Sequence, residues 1–124
     1  MPSPELRLAV RSKIAKAEEF FIMANYAFES GAFDAAVSMS VSASINASDA
    51  IILSHGGLIS NAADHNRATR TLAGLDRAAS RQLQRALSIK HKAQYSIQRC
   101  TQADATTGLA LAERLLERSQ SPHD

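Results

Sequence analysis

A chain of 124 residues is long enough to bury one core without disulfide or metal staples. Apolar residues make up 45% of it, aromatics only 5%, and tryptophan is absent, so the core must be built largely from alanine and aliphatic side chains. The single cysteine, Cys100, excludes an intrachain disulfide and suits a reducing compartment, and no uninterrupted apolar run approaches the ~20 residues that cross a bilayer. The N-terminal MPSPELRLAV sets acid and base among its apolar residues and has no signal-like apolar centre. These features predict a soluble, cytoplasmic protein, not a membrane protein. Net charge is +2, but the bases gather between Arg67 and Arg99. Such a skew suits either RNA and acidic partners or a set of solvated helix faces.

Read in order, the chain is a series of helices. Ser3-Pro4-Glu5 is a start signal: a capping serine, a proline that fits the first turn, and an acid at the positive helix end. Val10, Ile14, Ala17, Phe21, Ala24 and Phe28 then recur at spacings of four and three, a helical stripe that Gly31 should end. The next segment, from about Phe33 to Ser54, holds neither glycine nor proline and is rich in Ala and Ser. Small residues on several sides predict close neighbours on more than one face, as in the central helix of a bundle or a dimer seam. His55-Gly56-Gly57 closes it and a loop follows.

Asp64 reads as the cap of a short third helix with Ala68 and Leu72 inward, closed by Gly74. Asp76 opens a fourth helix carrying Ala79, Leu83 and Leu87, with a bend or fraying expected between His91 and Tyr95. Thr101, with Asp104 three residues on, resembles a capping box before a last helix with Ala105, Leu109, Ala112 and Leu116 inward. The predicted fold is all-α, an up-and-down bundle of about five helices: two long, one short, two medium. One domain spans 1–124, with a core over about 4–118 and a loose polar tail at 119–124.

Several polar groups stand out. Asn46 and Asp49, three apart in the apolar second helix, are expected to be buried. They read either as a hydrogen-bond network that fixes helix register or as site residues that orient a polar ligand. Arg85 and His91 form the one pairing with a catalytic story, since an arginine can hold a phosphate and a histidine can move a proton. Six positions apart on a helix, they lie roughly 120° round the axis and ~9 Å along it. Convergence on one phosphate therefore needs a bend or a second subunit. Lys90 suits the negative helix end, and Tyr95 reads as a core anchor. The histidines His55, His65, His91 and His123 show no paired spacing, so no metal site and no cofactor are expected.

In order, ESGAFDAAVSMSVSASINASDAI, Asp64-His65 opening a short helix, Lys90, Ala93 and Tyr95 in K-x-x-A-x-Y, and Ala112 to Leu115 in A-E-R-L resemble the HEPN superfamily of small helical bundles. The likeness spans roughly residues 8 to 118. It implies a bundle of about five helices that pairs as a homodimer, often beside a minimal nucleotidyltransferase partner in toxin–antitoxin or defence pairs. Active members are metal-independent ribonucleases with an arginine, four to six residues, then a histidine, which Arg85 and His91 satisfy. In that role Arg85 would bind the scissile phosphate and His91 would act as general acid or base, with Lys90 and Tyr95 supporting. Ala86, however, stands where active members commonly carry a polar residue, and His91 lies four residues before Tyr95 instead of two. Two functions follow: a binding or regulatory dimer without robust catalysis, or an endoribonuclease toxin acting on RNA across a dimer cleft.

Overall fold

The computed structural model describes residues 3–59 and 65–121, and they form five helices: α1 Pro4–Glu29, α2 Phe33–Ser54, α3 His65–Ala73, α4 Arg77–Gln94 and α5 Gln102–Gln120. No strand occurs among the described residues. The boundaries follow local chemistry. Ser3 accepts the Leu6 amide at the start of α1, Asp76 accepts the Ala79 amide at the start of α4, and Thr101 and Asp104 complete a reciprocal capping box on α5. Gly31 leaves α1 with φ +76°, a conformation that glycine adopts without strain. The expected cap at Asp64 lies outside the described residues, and α3 begins at His65.

α2 is the hub. It packs against α1, α5, α4 and, more lightly, α3. Its side chains at Ala36, Val37, Ser40, Val41, Ala43, Ser44, Ala47, Ser48, Ala50, Ile51 and Ile52 are buried. Buried positions over more than half the circumference of one helix are what its small side chains permit, because neighbouring backbones can approach it closely. On α5, Gly108 lies against α2: a Cβ there would touch the Ser40 side chain at 3.5 Å. Ile51, Leu72, Leu83 and Leu115 fill one half of the core, and Val37, Val41, Ala86 and Leu111 the other.

Three expectations are corrected. α2 is, by length and composition, apolar enough to cross a membrane, although 61% of its most apolar window is buried within the bundle. Single serines interrupt its apolar run without lowering the average far, and here the helix serves as core. The tail begins later than expected: Ser119 is buried at the end of α5, its hydroxyl donating to the Leu116 carbonyl at 2.6 Å. A hydroxyl bonded back onto its own helix is compatible with packing where a longer polar group is not. α4, finally, runs unbroken past His91 to Gln94, and the Tyr95 amide donates to the His91 carbonyl at its end.

Long-range polar ties fasten the helix ends. Asp34, in the first turn of α2, does not serve its own helix. Its carboxylate accepts the Cys100 amide at 2.8 Å and Arg99 Nε at 3.0 Å, pinning the α4–α5 connection. Arg118 on α5 donates twice to Asp76, at 2.7 and 2.8 Å, beneath the start of α4. Lys92 reaches Asp104 at 2.8 Å, and the buried Ser80 hydroxyl donates to the Thr69 carbonyl, tying α4 to α3.

Candidate functional site

Two groupings of polar residues emerge. The first gathers side chains from four helices. Lys13 on α1 pairs with Asp49 on α2 at 3.0 Å, and Lys90 Nζ on α4 lies 3.3 Å from His65 Nε2 on α3. Asp49 also feels the charge of His65, which links the two pairs. Burial raises the Asp49 carboxyl above its ordinary range, and the Lys13 contact and His65 oppose that shift.

Asn46 and Asp49 are half-buried, not fully enclosed. Asp49 stands where α2 meets Lys13 of α1. Asn46 spends its amide on the Ser42 carbonyl at 2.9 Å, and no bond joins it to Asp49 among the described residues. The pair is therefore not one network. Lys13 and His65 are the partners that sequence reasoning did not assign. Lys13 sat off the apolar stripe of α1 as one more surface base, and His65 read as part of a helix start. The unsatisfied need of Asp49 for a cation was the only available signal.

The second grouping is the outer face of α4. Arg81, Gln84, Arg85 and Ser88 outline a shallow depression. Arg77, Arg81 and Arg85 recur every fourth residue on an exposed stripe and make no ion pair among the described residues. Neither α3 nor α4 contains an acidic residue. His91 lies elsewhere on α4, its ring 5.7 Å from that of Tyr95 and tilted by 42°. Tyr95 is not a core anchor but 69% exposed, because the helix ends there and turns its ring outward. Within one chain, Arg85 and His91 thus keep separate company, and Lys90 is turned toward α3.

Other chemistry is limited. No group of three His, Cys, Asp or Glu side chains gathers to hold a metal ion among the described residues. The Cys100 thiol is buried and pushed up to about 11 by desolvation and by Asp34, so at neutral pH it is protonated and a poor nucleophile.

With this geometry in hand, comparison with known proteins is specific. The HEPN domain family matches residues 10–121, from within α1 to the end of α5, and the chain belongs to that family. No curated protein matches it.

Proposed function

We propose that the protein is a homodimeric binding or regulatory component of a small defence or toxin–antitoxin-type system in the cytoplasm, without robust catalysis of its own. HEPN domains occur in such systems and in ribonucleases, so membership leaves both roles open. The observation that carries the choice is the separation of Arg85 from His91 on an unbroken α4. The arginine stands among Arg81, Gln84 and Ser88, the histidine against Tyr95. A general acid or base has to reach the atoms it serves within hydrogen-bonding distance, and one chain offers no such convergence. A minimal nucleotidyltransferase is the partner this reading calls for.

A second reading has its own support in the acid-free surface of α3 and α4, whose arginines suit RNA phosphates. If a second subunit brings His91 to Arg85, the protein is a metal-independent endoribonuclease. The arginine then neutralises the scissile phosphate while the histidine takes the proton of the attacking 2′-hydroxyl.

Incubation of total cellular RNA with purified protein in EDTA, beside an Arg85→Ala/His91→Ala variant of equal fold and mass, separates the two. The expected result is no cleavage above the variant's background at high protein concentration. Cleavage by the unaltered protein that the variant lacks establishes the ribonuclease instead.

A further inference from the structure

The outward face of α1 is unlike the other solvent faces. Leu8, Ile22, Met23 and Tyr26 are 63%, 55%, 45% and 61% exposed, and with Ala15 and Glu19 they follow one side of the helix, opposite the buried Ala17 and Ala24. The charges of α1 are sorted along its length. Arg7, Arg11, Lys13 and Lys16 stand in the N-terminal half with only Glu5 against them, and Glu18, Glu19 and Glu29 stand in the C-terminal half without a base. That order is the reverse of what the helix dipole favours, with bases toward the positive end and acids toward the negative end, so the helix does not gain from it alone. Among the described residues Arg11, Lys16, Glu18, Glu19 and Glu29 make no ion pair. A helix that is basic in one half and acidic in the other is complementary to its own antiparallel copy.

We infer that this face of α1 is the homodimer interface, with α1 of a second copy lying antiparallel across it and the two-fold axis passing between Ala17 and Glu18. In that register Lys16 faces Glu19 of the second copy and the reverse, Ser12 faces its Met23, and Leu8 reaches its Tyr26. One patch serves both subunits, as a closed two-fold pair requires. The opposite sides of both bundles, with α4 and its arginines, stay open to a third molecule. The inference rests on the dimeric reading above and adds the surface that makes the dimer.

The test is sedimentation equilibrium on the intact protein and four exposed-site variants, with circular dichroism melts to show that each remains folded. Lys16→Glu and Glu19→Lys each turn two attractions into repulsions and are expected to weaken the dimer about tenfold. The double swap Lys16→Glu/Glu19→Lys restores the opposite charges and the unaltered association. Ile22→Glu is expected to leave a folded monomer. A monomeric unaltered protein at high micromolar concentration overturns both the interface and the dimeric reading, including the case where α1 serves a different protein. A dimer that withstands Ile22→Glu and ignores the charge swaps overturns the interface alone and leaves the dimer to another face.

Discussion

Asp34 and Asp49 lie on the same helix and meet opposite fates. Asp34 accepts the Cys100 amide first and Arg99 second, and both hold its carboxyl below the ordinary value of 3.8. Asp49 is lifted above 3.8 by desolvation, which Lys13 does not fully offset. Linkage converts these directions into opposite pH signatures. The Asp34 contribution is complete above pH 3.8 and disappears as pH falls through its lower folded value. The melting temperature of Asp34→Asn is therefore expected below that of the unaltered protein at pH 7, with the gap closing in acid. For Asp49 the folded chain binds more protons than the unfolded one between 3.8 and its raised value, so stability declines as pH climbs through that window. Asp49→Asn escapes the decline, and its melting temperature relative to the unaltered protein is expected to rise from pH 3.8 toward pH 7. Melts of both variants across pH 3 to 7 check the two slopes.

At the scale of single elements, the helix starts were legible because a cap is a local matter. Ser3, Asp76 and Thr101 each serve an amide three residues away, and a sequence shows that spacing directly. Thr101→Ala is expected to lower stability by about 1 kcal/mol in denaturant titration. What local spacing could not show was direction across the bundle. Asp34 occupies a first-turn position that suggests service to its own helix, yet its partner lies 66 residues away. Lys13 and Asp49 became a pair only once α1 and α2 were laid side by side. Tyr95 failed as a core anchor because aromatic character does not say which way a helix end points.

Two glycines separate by the same logic. A Cβ on Gly57 would meet Ile52 Cγ2 at 2.7 Å, whereas one on Gly108 meets only ordinary contacts with Ser40 and Val37. Gly57→Ala is thus expected to destabilise. Gly108→Ala, inside α5, is expected to gain about 1 kcal/mol of helix propensity. Thermal melts of the two variants should move in opposite directions.

For the whole molecule, all-α architecture, helix order and family were readable because periodicity, caps and the order of loose motifs reinforce one another. The polar groups were readable as residues and not as a site. Asp49 and Lys90 were legible, but their partners Lys13 and His65 depend on how four helices converge. Arg85 and His91 have family-like spacing, but spacing along a helix does not decide whether two subunits unite them. The face offered by α1 was hidden for a related reason: its charges look unremarkable until exposure shows which of them have nothing to meet.

The alanine and serine column of α2 has a consequence for how this sequence can drift. Where backbones nearly touch, removing a methyl group leaves little void, whereas adding a methylene must push two helices apart. Ala36, Ala43, Ala47 and Ala50 are fully enclosed, as are Ser44 and Ser48, whose hydroxyls find no acceptor among the described residues. A saturation library selected for folding should therefore be lopsided. At these positions Gly, Ala and Ser should survive, and Ala should enrich over Ser at 44 and 48, since it removes an unpaired buried hydroxyl. Val, Leu and Phe should vanish there while remaining acceptable at Ile51 or Leu115. The helix most enclosed by its neighbours would then be the one that changes least.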